Sequence, residues 1–421
     1  MNTRFTGLWR HPDFMKLWVG ETISLLGSQV TSLALPLTAA LILKASAEQM
    51  GVLNATQFLP FLLVGLFAGA WVDRRQRRPV LIIGDIGRAL LLATIPLAAL
   101  AGALHMEQLY VIGFLVGVLT VFFDVAYQSY LPSLVGRAGL VEGNSKLELS
   151  RSITAIAGPG VAGLLVQILT APIAIALDAF SFLASAFFLG RITTTEAPPE
   201  RHEQKHILRE IAEGMGVVLG NPSLRAIAAC TATSNLFSNI SQTVFILYAT
   251  RDLNLDAAAL GVIYGIASVG GLLGALYVAR VTRRFGLGYT IIGSMILGGL
   301  GWLFAPLASG SWLVAVPLII LGVSLNAFGG TIYNINQVSL RQTITPHRLL
   351  GRMNASMRFI VWGTIPVGAL VGGWLGGAIG LRQTLVVGAV GSMLPSLWII
   401  FSPVRGLREQ PQPVEEAAGT A

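Results

Sequence analysis

One cysteine, Cys230, is the whole thiol content of a chain of 421 residues. That excludes a disulfide framework within the chain and a cysteine-rich metal site. Charge is scarce too: Asp, Glu, Lys and Arg make up 11% of residues, against about 25% in ordinary globular domains. The hydrophobic share is 54% and the mean hydropathy +0.71. So little charge cannot cover the surface of a soluble core of this size, which leaves a polytopic membrane protein. The five histidines lie in loops or at helix ends without metal-ligand spacing. No Gly-rich loop ends in Lys-Ser or Lys-Thr, so the motif that would announce ATP is missing. No constellation of catalytic side chains is present, and no residue is assigned a catalytic role. The net charge of +8 does not point to nucleic acid, because the charges sit in short clusters between apolar runs. The first apolar segment begins near Phe14 and runs about 30 residues, too long for the core of a cleavable signal.

What is present is a succession of long apolar runs. Twelve spans are expected, at about 14–43, 50–72, 80–103, 109–131, 151–169, 171–190, 224–250, 258–279, 288–308, 312–334, 355–379 and 384–402. Each suffices for a helix across a bilayer core, which takes about 20 residues. The runs do not alternate at period two, so a membrane barrel is excluded. With a cytoplasmic N-terminus, all Lys and Arg except Lys44, Arg251 and Arg382 fall on the cytoplasmic side or at cytoplasmic helix ends. The positive-inside rule therefore sets both termini inside, in a bacterial cytoplasmic membrane.

The expected organisation is a first six-helix bundle over 1–190, a linker over 191–223, a second bundle over 224–403 and a disordered tail over 404–421. In the linker, Ile207, Leu208, Ile211, Met215 and Val218 recur at helical spacing. They predict an amphipathic helix lying along the inner membrane surface and joining the halves. The halves repeat one another. Arg151 stands eight residues before Pro159, and Arg358 eight before Pro366. Duplicated six-helix halves indicate a transporter with its substrate site near the midplane.

Inside the spans, Arg and Lys are expected only near cytoplasmic ends, whereas acids enter. Glu21, Asp124 and Asp178 would each cost roughly 2.5–3.5 kcal/mol facing lipid, so each should face a partner or a wet cavity. Neutral polar residues continue these stripes: Ser24 and Ser28 beside Glu21, Tyr127 and Gln128 beside Asp124. Asn235, Asn239 and Gln242 mark the seventh span, and Asn326, Tyr333 and Asn334 the tenth. Their helical spacing fits a substrate or proton pathway lined by the first helix of each triplet; it also fits glue between helices. Gly158-Pro159 with Gly163, and Pro366 in the second half, read as kinks of moving helices or as packing points. A carboxyl in such a site can exchange protons, which makes H+ the candidate coupling ion. With acids and no base in the expected cavity, lipophilic neutral or cationic cargo is favoured over anions. The bilayer and one small lipophilic substrate are the expected partners of a monomer that needs no cofactor.

The stretch 69–81 resembles the signature loop of the major facilitator superfamily. Gly69, Asp73, Arg74, Arg77, Arg78 and Leu81 match in place, while Trp71 and Gln76 depart from the pattern. The resemblance implies that this loop is a cytoplasmic gate, with Asp73 contacting the end of another helix in one state and releasing it in the other. Arg151 and Arg358 belong with that gate, expected to pair with acids or carbonyls of neighbouring loops. Arg10-His-Pro-Asp-Phe14, Tyr127-Gln-Ser-Tyr-Leu-Pro132 and Gly351-Arg-Met-Asn-Ala355 are similar to the macrolide-exporter-like and enterobactin-exporter-like efflux branch. That branch implies export of a drug-like compound by proton antiport, or of a native metabolite such as a siderophore or lipid. The fourth span lacks the arginine that better-known drug–proton antiporters carry there. A membrane-embedded transferase or a non-transporting receptor are the readings from other classes.

Overall fold

The structure, a computed structural model, describes residues 7–72, 74–194, 196, 207–310 and 312–412. All regular structure among them is helical. The helices are α1 Pro12–Leu37, α2 Ala47–Leu63, α3 Gly65–Val72, α4 Arg77–Leu100, α5 Met106–Leu169, α6 Ala171–Gly190 and α7 Ile207–Gly220. They continue with α8 Pro222–Arg251, α9 Ala257–Phe285, α10 Leu287–Leu307, α11 Trp312–Thr343, α12 Leu350–Ile379, α13 Leu381–Gly391 and α14 Pro395–Ile400. Local chemistry sets several starts. Pro12 opens α1 while His11 Nδ1 accepts the amide of Phe14 at 3.1 Å. Pro222 opens α8 while Asn221 Oδ1 accepts from Ser223 N and Leu224 N. Both proline positions use a helix site that has no backbone acceptor to lose.

All twelve expected spans fall on helices, and ten stretches among the described residues are long and apolar enough to cross a bilayer. The other two are the second and the seventh. The second is interrupted at Val64, although Val64 N→Pro60 O and Ala68 N→Val64 O carry the hydrogen-bond ladder across. The seventh, α8, is 30 residues long, about 45 Å of helix, but its Ser, Thr and Asn content lowers its hydropathy. The polar loop expected between the fourth and fifth spans is instead helical. One residue, Gly136 at φ 67° and ψ 171°, breaks α5 there, in a conformation that favours glycine. The polar residues beyond it support a helix through the Lys146–Glu142 pair at 3.1 Å, and Glu142 also accepts the amide of Leu8.

The chain forms two compact units. The first comprises Met1–Ala45, Thr56–Glu203 and Asp256–Gly265; the second comprises Ser46–Ala55, Gln204–Leu255 and Ile266–Ala421. The division lies near the expected linker, but two short helix starts change sides. In the first unit Gly163 meets the backbone of Ala257 and Gly261; in the second Gly51 meets that of Ala369 and Gly373. Glycine lets those backbones touch. Phe14, Leu17, Val72, Leu81, Tyr130 and Leu189 centre the core of the first unit. Leu224, Ile227, Leu287, Ile291, Leu340 and Met353 centre that of the second.

The linker helix α7 is docked against the second unit. Val218 is fully buried in the second unit's core, Gly214 abuts Arg352 of α12, and Glu213 pairs with Arg352 at 2.6 Å. The side chains of Ile207, Leu208 and Ile211 lie outside the described set. The first residues of the expected tail are ordered, while residues 413–421 lie outside the described residues. Pro403–Gly406 form a short 3-10 turn, and the carbonyls of Arg408 and Leu407 accept from Leu287 N and Gly288 N. Those amides begin α10 and have no partner within their own helix, so the tail caps it.

Candidate functional site

The first unit gathers its polar groups where α1, α4, α5 and α6 pack together. α1 meets α6 through small residues: Gly27 lies against Asp178 and Ser181, and Gly20 against Ser185. Asp178 is 1% exposed and accepts from Ser181 Oγ at 3.0 Å. Glu21 and Ser24 are also buried, so α1 turns its acid inward; Ser28 is half-buried. Opposite-sign charges acting on Glu21 come from Arg151 and Arg88, and like-sign charges from Asp124 and Asp85.

Asp85 and Arg88 escaped the sequence reading. Arg88 lies about 16 Å along α4 from Arg77, which corrects the expectation that bases stay at cytoplasmic ends. It is 5% exposed and donates to the fully buried Asp85. Its guanidinium sits 4.2 Å from the ring centroid of Phe123 and 4.1 Å from that of Phe182. Asp85 three residues before an arginine, inside an apolar run, is the signal that could have revealed the pair. On one helical face the two charges neutralise each other, and the aromatic faces replace part of the lost hydration.

Beside this cluster is a cavity of about 750 Å³, lined by Tyr127, Gln128, Asn144, Glu148 and Arg151 among others. Both limbs of α5 contribute, because the break at Gly136 brings them together. Tyr127 is buried and joins the cavity to the acids, since Glu21, Arg151 and Asp124 all act on it. Asp124 is exposed and stands one turn before the cavity-lining Gln128, on the same side of α5. Arg151 in the wall and Arg88 in the bundle correct the expectation of acids without bases.

The residues of the 69–81 stretch, expected to form a gate, sit around the start of α4. Asp73 lies outside the described residues. Gly69 has open space around it and Arg74 is exposed. Arg77 and Arg78 are engaged: the carboxylate of Glu196 accepts Arg77 N at 2.8 Å, Arg78 N at 3.2 Å and Arg77 Nη1 at 3.1 Å. Arg78 also donates to Leu189 O and Gly190 O. A carboxylate at the first amides of α4 satisfies orphan donors and complements the helix dipole. Asp13, at the start of α1, accepts from the backbone amides and hydroxyls of Thr193 and Thr194 beyond α6. Gly158 packs against Gln29, and α5 stays helical through Pro159.

In the second unit the predicted polar residues are dispersed. Asn235 Nδ2 donates to Val361 O, Asn239 Nδ2 to Asn235 O, and Asn326 Nδ2 to Gly298 O. These bonds tie helices together or close on one turn. Tyr333 is buried with its hydroxyl 2.6 Å from Thr231 Oγ1. Gln242 and Asn334 are exposed, and Asn334 Oδ1 accepts from Gln337. Pro366 is buried within α12, and Arg358 is exposed with its guanidinium 5.7 Å from the ring of Trp362. No group of His, Cys, Asp and Glu among the described residues could hold a metal ion.

A multi-span helical chain with carboxyls turned inward beside a polar cavity defines a membrane transporter. The family model of the Major Facilitator Superfamily matches residues 17–366, and the chain belongs to that superfamily. It is 29% identical over 371 residues to the multidrug efflux pump Tap of Mycolicibacterium fortuitum, covering 85% of this chain and 88% of that one. It is 26% identical over 391 residues to the enterobactin exporter EntS of an Escherichia coli strain, covering 91% and 88%. Among solved structures, a bacterial homologue of the iron transporter ferroportin in its inward-facing state superposes with a TM-score of 0.73. That match has 17% identity and covers 94% of this chain and 99% of the other. The nucleoside transporter NupG gives 0.71 at 14% identity, covering 92% and 98%. At such identities these two establish the shared fold alone.

Proposed function

We propose that this chain is a secondary efflux transporter for lipophilic neutral or cationic small molecules, working by alternating access and proton antiport. The observation that carries this reading is Glu21, buried on α1 beside a cavity that Tyr127 and Arg151 line. A buried acid in a membrane helix is by default a candidate functional group, and taking up and releasing a proton is one task a carboxyl can perform there. The distribution of Lys and Arg supports a cytoplasmic location for both termini. The protein acts as a monomer and carries out no catalysis.

Export of a native metabolite such as a siderophore is the second reading. Arg151 in the cavity wall favours it, because an anionic cargo needs a base to meet. Dye and drug accumulation in cells expressing the chain, with and without an uncoupler, tests both readings. Expression should lower accumulation, and the uncoupler should abolish the difference. Normal uncoupler-sensitive efflux by both Glu21→Gln and Asp124→Asn would remove these residues from the pathway. Export of a catecholate by purified protein in vesicles, with no dye transport, would select the second reading.

A further inference from the structure

One exposed side of α9 changes character along its length. Leu273, Leu276, Tyr277, Arg280 and Arg284 recur at intervals of three and four residues, which puts them on one stripe. Leu276 is 68% exposed and Tyr277 43%, and Arg280 and Arg284 are exposed as well. The stripe therefore runs from apolar through aromatic to basic as α9 approaches its end at Phe285. Arg280 Cζ stands 5.6 Å from the ring centroid of Tyr277, and Arg284 Cζ 5.8 Å from that of Phe285. A phospholipid presents its acyl chains, its interface and its charged head in the same order.

The last described residues of the chain are brought to the same corner. Just past the turn at Gly286, Leu287 N donates to Arg408 O at 3.0 Å and Gly288 N to Leu407 O at 2.8 Å. A Cβ on Gly286 would lie 3.3 Å from Arg408 Cα, and one on Gly288 would strike the carbonyls of Val404 and Arg405. Val404 and Leu287 are fully buried in the core of the second unit, which anchors this placement. Arg405 and Arg408 are thereby set beside a turn that Arg283 and Arg284 precede by three and two residues. All four are exposed. Residues 280–288 and 403–412 together carry these five arginines and one acid, Glu409. The first amides of α10 are already taken by the carbonyls of Leu407 and Arg408, so an anion arriving here meets guanidinium groups.

We infer that Arg280, Arg283, Arg284, Arg405 and Arg408 form a binding surface for the phosphate head of an anionic phospholipid, whose acyl chains lie along the exposed leucines of α9. A guanidinium presents donors in a fork that matches phosphate oxygens. A cluster of about four to eight bases at the end of a membrane helix is the pattern that attracts anionic lipid. Leu273, Leu276 and Tyr277 separate a lipid from a free anion, which has nothing to place against them. The inference stands on this geometry and does not rest on the export reading.

The test is lipid binding to the purified full chain in a neutral detergent, read by thermal unfolding and by native mass spectrometry. The probes are dioctanoyl phosphatidylglycerol, dioctanoyl phosphatidylcholine and inorganic phosphate at equal ionic strength. Phosphatidylglycerol should bind and stabilise saturably, and the other two should not. An arginine near anionic heads is worth about fivefold in affinity. Arg283→Gln with Arg284→Gln, and Arg405→Gln with Arg408→Gln, should therefore each weaken binding about tenfold or more. The corresponding Lys pairs keep the charge and should retain most of the affinity. Mass spectrometry reads binding even where a variant melts earlier. Arg191→Gln, an exposed arginine at the end of α6, is the control and should bind as wild type does. Equal responses to phosphatidylglycerol and to either other probe overturn the inference. Undiminished affinity in both Gln pairs, or a loss in Arg191→Gln as large as theirs, also overturns it. So does a wild-type chain indifferent to phosphatidylglycerol, including the case in which Glu415 and Glu416 of the chain's own end take the place of the lipid. No transport is measured, so failure here leaves the export reading standing, and a failure of export leaves the lipid surface standing.

Discussion

Replacing Arg88 by methionine tests whether the first unit depends on one buried counter-charge. Arg88 and Asp85 are 6% and 0% exposed at their side chains, so water screens neither. Opposite charges 4 Å apart attract by about 4 kcal/mol at an effective dielectric constant of 20. Removing one partner of such a pair typically costs about 3–5 kcal/mol, because the other stays buried and uncompensated. Arg88 also offsets Glu21 and Asp178, and it contacts two aromatic rings. Arg88→Met should therefore destabilise by about 3–5 kcal/mol. Asp85→Asn should cost only about 1–2 kcal/mol, since Arg88 keeps both rings, the other acids and an amide oxygen as acceptor. The double variant should lose less than the sum of the singles, as expected of groups in contact. Unfolding by dodecyl sulphate in mixed micelles, followed by circular dichroism, measures all three. Acidification should narrow the Arg88→Met deficit, because protons can then neutralise the carboxyls it strands. A loss below about 1 kcal/mol for Arg88→Met, or a larger loss for Asp85→Asn, refutes the assignment of Arg88 as shared counter-ion.

Glu196→Gln should loosen the start of α4, because a neutral amide cannot hold the three donors with a full negative charge; about 1–3 kcal/mol is expected. Faster hydrogen exchange over residues 74–80 would register it, and unchanged exchange would mean that the carboxylate anchors nothing. Gly163→Val should destabilise by about 1–3 kcal/mol, since a Cβ there meets the backbone of Ala257 and Gly261. Gly160→Ala, where nothing lies within 4 Å, is the control and should unfold as wild type does.

Length and hydropathy made the fold legible, because a bilayer imposes long apolar helices and each leaves a local trace. The inward turn of Glu21 and Asp178 was legible for a related reason: an acid in such a helix has few places to point. What the sequence hid was either self-cancelling or distant. Asp85 and Arg88 contribute opposite charges three residues apart, so an average over a window passes across them. Glu196 and Arg77 are separated by 119 residues, and Asp13 and Thr194 by 181, and no local period reports such meetings. The helix across 137–150 reads as a loop in sequence because its residues are polar. Gly136 alone is needed to turn the chain, and the polarity belongs to exposed faces and one ion pair.

The two halves keep the same skeleton and have parted in charge. The offset that aligns Arg151 with Arg358 and Pro159 with Pro366 sets the buried Ala228 where the first half has Glu21. One repeat thus supplies its arginine with an acid from its own first helix, and the other supplies methyl groups and amides already bonded to backbone carbonyls. The buried acids from which the proposed proton exchange would draw therefore lie in the first half, because the helices from α8 to α14 contain no Asp or Glu.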